Sequence, residues 1–134
     1  MITIQKKLPS IITLHENIDS NNRPGKLIAI NDYDIGMSIK RIFYLYNFDK
    51  DVSINKRGCH AHKTTRQILI MLSGSVEITT KHLNTNEELF FKLSSPNVAL
   101  DLPPNNYISL FNYTENSVMI VLCDQVFADD VYIR

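Results

Sequence analysis

Apolar residues along the chain gather into short runs of strand length, not into long helical stripes. The runs fall at 27–30, 39–46, 67–72, 76–81, 89–93, 98–102, 108–112 and 118–123 and are rich in Ile, Val, Leu, Tyr, Phe and Thr. These residue types suit a pleated, half-buried surface. Within 39–46, alternation sets Ile39, Arg41, Phe43 and Leu45 on one face and Lys40, Ile42, Tyr44 and Tyr46 on the other. Both faces therefore carry apolar area. The runs 68–72 and 118–122 are apolar throughout, as expected of strands covered on both sides. A buried helix is the competing reading of such runs, and their length argues against it.

Turn chemistry separates most of the runs: Ser73-Gly74-Ser75, the Asn-Thr-Asn-Glu stretch at 84–87, and Pro103-Pro104-Asn105-Asn106. No segment shows a capped helical period over three turns. Many short, evenly spaced strands predict an all-β fold, a double-sheet β-barrel of the jelly-roll or cupin kind. The chain has no internal repeat, low-complexity tract or linker-like charge block, and its 134 residues predict one domain spanning 1–134.

Composition narrows the partners. Lys and Arg number 14 and Asp and Glu number 14, so no overall field draws the chain to nucleic acid or to an anionic membrane, and any anion site must be local. The first residues, Met1 to Lys7, lead into no apolar stretch of signal-peptide character, and no run approaches a bilayer-spanning length. The expected location is the cytoplasm. Cys59 and Cys123, far apart in the chain, read there as free thiols.

The segment that carries chemistry is Arg57-Gly58-Cys59-His60-Ala61-His62-Lys63. As a strand it presents both imidazoles on one face, with Cys59, Ala61 and Lys63 on the other. Three readings compete: a histidine pair with no task, a metal-ligand pair, and an acid–base pair. Arg57, Lys63 and Arg66 concentrate cations beside the histidines, as solvated strand-end charges also would. Cupin metal sites add a Glu soon after His-x-His and a later His. This chain has Gln67 at the carboxylate position and no histidine beyond His82, with Tyr107 following Pro103-Pro104. An amide is a much poorer metal ligand than a carboxylate, so no metal and no cofactor is expected. Two uncoordinated imidazoles favour proton transfer near neutral pH.

Residues 57–63 resemble the dTDP-sugar 3,4-ketoisomerases of the cupin superfamily, which share an Arg-Gly-x-His-Ala-His-Lys segment. Agreement continues in the strand at 40–46, in Gln67, Gly74-Ser75 and Pro103-Pro104, and in Tyr132-Ile133-Arg134, so the likeness covers about residues 20–134. The resemblance implies a dTDP-linked 4-keto-6-deoxy sugar as substrate, its ketone moved from C4 to C3 for a later aminotransferase, no metal requirement, and a homodimer with exchanged strands. His60 and His62 are then the acid–base pair. Arg57, Arg41 and Arg23 are candidates for the diphosphate, since guanidinium groups suit phosphate oxygens, with Lys63 less favoured by alternation. Gln67 is a candidate for a sugar hydroxyl or a histidine, Tyr44 and Tyr46 for orienting a histidine or relaying a proton, and Tyr107 for stacking on thymine. His15 and His82 read as surface residues. The chain departs from the family pattern with Tyr107 in place of a common Trp, Asp124-Gln125 near a Ser-Asp pair, and Arg23-Pro24-Gly25 in place of Arg-Gly. The rival readings are a related cupin 3,5-epimerase, which pairs one histidine with a tyrosine and lacks the second His, and a non-catalytic sugar-binding cupin.

Overall fold

The structure, a computed structural model, describes residues 7–17, 24–48, 57–126 and 131–133. Among the described residues, ten strands and one short helix follow in the order β1 (Ser10–Thr13), α1 (Asp32–Ile35), β2 (Arg41–Leu45), β3 (Arg57–His62), β4 (Gln67–Ser73), β5 (Val76–His82), β6 (Glu88–Leu93), β7 (Val98–Leu102), β8 (Asn106–Phe111), β9 (Val118–Cys123) and β10 (Val131–Ile133). The strands form two five-stranded sheets, β1-β7-β4-β9-β2 and β10-β3-β8-β5-β6. Every pairing is antiparallel. This is the double-sheet barrel that the short runs predict. Among the described residues no helix is long and apolar enough to cross a membrane.

The strands form where the apolar runs lie because alternation lets each bury one side chain in two. In β5 the pattern is regular: Val76, Ile78, Thr80 and His82 are buried while Thr79 and Lys81 are exposed. The two inner faces meet in one core that includes Leu69, Met71, Ile78, Leu100, Leu110, Met119 and Val121. The runs 68–72 and 118–122 become β4 and β9, interior strands of their sheet. Their outward residues Ile68, Ile70 and Leu122 are covered by Leu14, Ile35 and Met37, which form a second apolar layer.

Run 27–30 is not a strand. Leu27 makes only an isolated bridge to Asn17 and is 58% exposed, while Ile28 and Ile30 lie against the outer apolar layer. Helix α1 is a single turn, too short to leave a helical period in the sequence. The backbone N–H of Asn31 donates to the Asp34 carboxylate at 2.6 Å, and Gly36 ends the turn in the left-handed conformation.

Arg66 locks this layer to the barrel. Its guanidinium donates to both carboxylate oxygens of buried Asp101 on β7, each at 2.9 Å, and to the carbonyls of Ile35 and Gly36. It thus supplies donors to the helix end that the helix itself cannot provide. The hydrogen bond to Asp101, opposed by burial, raises the arginine's pKa still further. Arg66 is therefore a structural clasp, not one of a group of cations gathered beside the histidines.

Candidate active site

The site begins with a distortion in β3. Residues Arg57 and Gly58 pair with Leu110 and Ser109 of β8, but the next pair is His60 with Ile108, so Cys59 is an inserted residue. Gly58 has φ +81° and Cys59 φ +54°, the left-handed backbone of a β-bulge. Arg57 and His60 are three positions apart and would face opposite ways on a regular strand. The bulge restores them to one face: Arg57, Gly58 and His60 all line a cavity of about 400 Å³ between the sheets. Gly58 is well suited to this turn, because a Cβ there would lie 3.2 Å from the Ile108 carbonyl oxygen.

His60 and His62 meet edge to face, with ring centroids 4.9 Å apart. His60 is half-buried at the cavity, and His62 is 8% exposed. The Nδ1 of His60 lies 2.8 Å from the Gly58 carbonyl oxygen. A carbonyl only accepts, so in the neutral ring Nδ1 carries the proton and Nε2 keeps its lone pair. The bulge therefore fixes both the position of this imidazole and its tautomer.

The facing sheet contributes a cross-strand row. Gln67 on β4 stands opposite Leu102 and Cys123, and Cys123 stands opposite Arg41 on β2. Gln67 lines the cavity, and its amide Nε2 donates to Cys123 Sγ at 3.5 Å. Burial pushes the Cys123 thiol pKa up, against the Gln67 hydrogen bond and the Arg41 charge, which pull it down. The Arg41 guanidinium carbon lies 5.2 Å from the Phe43 ring centroid, and Phe43 also lines the cavity. Leu45, Leu69, Ile108, Leu110, Met119 and Val121 complete an apolar wall.

The structure thus brings His60, His62, Arg57 and Gln67 together, with Arg41 at the end of the facing row. Arg23 lies outside the described residues. Lys63 is exposed just beyond the end of β3. Tyr44 and Tyr46 do not orient a histidine within the chain: they are 63% and 66% exposed and turned away from the cavity, since Phe43 and Leu45 face inward. Tyr107 sits on the face of β8 opposite to Ile108, where burial and neighbouring Cys59 push its phenol pKa up. It is therefore outside the chain's own cavity. His15 is exposed as expected, whereas His82 is 4% exposed, its Nδ1 accepting the N–H groups of Asn84 and Thr85 in the following turn. Most of the apolar wall and the role of Cys123 carry no local mark in the sequence. Alternation signals Phe43 and Leu45 once Arg41 is turned inward, but nothing local pairs Cys123 with Gln67.

Comparison with known proteins settles the family. The model of the family described as "FdtA: WxcM-like, C-terminal" matches residues 7–134. The chain belongs to this family. Over 125 residues it is 32% identical to the TDP-4-oxo-6-deoxy-alpha-D-glucose-3,4-oxoisomerase of Aneurinibacillus thermoaerophilus, covering 92% of this chain and 84% of that protein. Among solved structures, a mutant of the 3,4-ketoisomerase QdtA from Thermoanaerobacterium thermosaccharolyticum, in complex with TDP-4-keto-6-deoxyglucose, superposes with a TM-score of 0.82 at 32% identity, covering 96% of this chain and 88% of that one. The WlaRB TDP-quinovose 3,4-ketoisomerase from Campylobacter jejuni gives the same TM-score at 29% identity, covering 96% and 94%. This FdtA-like chain is accordingly an enzyme of the sugar 3,4-ketoisomerase family, built on the cupin-type barrel that its strand pattern predicts.

Proposed function

We propose that the enzyme moves the ketone of a TDP-linked 4-keto-6-deoxyhexose from C4 to C3 by proton transfer between the sugar and the His60/His62 pair. The 4-keto group acidifies the proton on C3. A base removes it to give an enediolate, and delivery of a proton to C4, with the C3 hydroxyl proton passing to the C4 oxygen, completes the shift. The observation that carries the reading is the Nδ1 contact of His60 with the Gly58 carbonyl, which leaves an imidazole Nε2 able to accept a proton at a cavity lined by both sheets. His62, edge-on to His60, supplies the second titratable group. Gln67 offers its amide to a sugar hydroxyl, and Arg57, exposed at the same cavity, offers a planar fork to the diphosphate, with Arg41 and Arg23 as further donors. The donors here, the His60 imidazole and Gln67 amide at the cavity with His62 edge-on to His60, suit proton transfer better than metal binding.

The working unit in this proposal is a homodimer with exchanged strands. Support comes from edge strand β2 and the residue after it, where Ile42, Tyr44 and Tyr46 are 56%, 63% and 66% exposed, an apolar row unusual for a solvated edge.

Incubation with TDP-4-keto-6-deoxyglucose in deuterated water, followed by NMR of the sugar, tests the reaction. A ketone at C3 with label at C4 is the expected product. Label at C3 and C5 with the ketone still at C4 would replace the proposal with 3,5-epimerisation, and no exchange would replace it with simple binding. His60→Asn and His62→Ala should each lower turnover by about 10²–10⁴-fold with the fold retained by circular dichroism. Unchanged rates in both would remove the histidines from the mechanism.

A further inference from the structure

Two buried polar atoms among the described residues have no protein hydrogen-bond partner: Thr80 Oγ1 and Asn106 Oδ1. Leaving such an atom unsatisfied is costly, and native proteins do so rarely. The two are not scattered. Thr80 on β5 stands opposite Ile108 on β8, and His82 stands opposite Asn106. Thr80 and Asn106 are therefore diagonal neighbours on adjacent strands. They also share the inward face, with Thr80 in the buried alternation of β5 and Asn106 in step with cavity-lining Ile108 and Leu110. Their exposures are 3% and 2%.

The Asn106 amide has only one consistent orientation. Its Nδ2 lies 2.9 Å from the Lys7 carbonyl oxygen, 3.2 Å from that of Pro103 and 3.1 Å from that of Pro104. All three are acceptors, so the NH₂ belongs there and Oδ1 is held on the opposite side. Diagonal Cβ atoms on antiparallel strands are about 7 Å apart. For two short side chains that spacing suits one bridging molecule held by two hydrogen bonds of about 2.8 Å each. His82 adds a donor to the same row. Its Nδ1 accepts from the turn, so in the neutral ring the proton sits on Nε2.

We propose that Thr80 and Asn106 hold one buried water molecule, which donates to Asn106 Oδ1 and exchanges a hydrogen bond with the Thr80 hydroxyl, with His82 as the neighbouring donor. A site with two to four polar partners is what a buried water requires. The water fastens the start of β8. There Asn106 grips the Pro103-Pro104 turn and Lys7, and the N–H of Asn105 donates to the His62 carbonyl at 2.8 Å. It is thus part of what fixes the strand carrying the second histidine, and it lies outside the groups assigned to substrate.

A crystal structure of the full chain at high resolution, with thermal unfolding of Thr80→Val and Thr80→Ser, tests the assignment. The expected result is a water peak within hydrogen-bonding distance of both Oγ1 and Oδ1, present in the wild type and in Thr80→Ser and lost in Thr80→Val. The Tm of Thr80→Val should then fall by about 3–5 °C, roughly the shift expected for one hydrogen bond in a domain of this size. A direct Thr80–Asn106 hydrogen bond in the crystal, no peak in the wild type, or a Tm of Thr80→Val equal to or above the wild type would each overturn the proposal. An isolated buried hydroxyl predicts that last outcome, since its removal relieves an unsatisfied group.

Discussion

At Gly58 and Cys59, backbone conformation decides chemistry. Both residues have positive φ, at +81° and +54°, and the bulge they form is what turns Arg57 to the face of His60. Gly58→Ala places a Cβ in a left-handed conformation and against the Ile108 carbonyl. It should lower stability by about 1–2 kcal/mol and, by disturbing the Gly58 carbonyl that holds His60 Nδ1, reduce turnover as well. Cys59→Gly suits the same bulge and should leave Tm unchanged or raised, as thermal unfolding would show; equal losses in the two variants would argue against the bulge. Cys123 gives a pH signature. Burial, with Asp124 adding to it, raises this thiol's pKa over the lowering effects of Gln67 and Arg41. A group whose folded pKa lies above its unfolded value contributes stability that is complete below the unfolded pKa, about 8.5 for a thiol, and is lost as pH rises through the folded pKa. Tm should therefore decline above about pH 8.5, and Cys123→Ala should make that decline shallower whatever its effect at neutral pH. An identical slope in the variant would assign the decline to other groups.

Between elements, the Arg66 clasp joins β4 to β7 and to the end of α1. The side chain of Asp101 is 3% exposed and that of Arg66 25%, so removing the arginine strands a buried carboxylate and two carbonyls. Arg66→Ala should cost on the order of 3 kcal/mol, seen as a Tm lower by roughly 10 °C. Arg66→Lys keeps the charge but loses the paired geometry and should fall between. A drop of only a degree or two in Arg66→Ala would show that the outer layer holds without the clasp. β4 carries Gln67 immediately after Arg66, so the clasp also sets the level of the row formed by Gln67, Cys123 and Arg41. No periodicity joins residues 35, 66 and 101; only the folded arrangement of a helix end, a strand start and a neighbouring strand does.

For the whole molecule, the balance of 14 acidic and 14 basic residues leaves apolar contact as the means of association. The exposed row of Ile42 and Tyr44 on edge strand β2, continued by Tyr46 just beyond it, is where it should act. Light scattering should give twice the chain mass for the wild type, with Tyr44→Ser/Tyr46→Ser shifting the mass toward one chain; a wild-type monomer at micromolar concentration would remove the proposed dimer. The sequence by itself determined the all-β class, the positions of most strands, the two-sided burial of 118–122 and of 68–71, Leu72 being 51% exposed, and the His60/His62 motif, because strand alternation and turn chemistry are local properties. Alternation over 39–46 also contained the outward direction of Tyr44 and Tyr46, which their chemical appeal as phenols obscured. What the tertiary structure alone decided was the company each side chain keeps. The bulge that rescues Arg57, the assignment of Arg66 to Asp101, the burial of His82 and the Gln67–Cys123 contact all depend on the register between strands far apart in the chain. One residue of register moves a side chain from one face of a sheet to the other, and no period within a single strand specifies it.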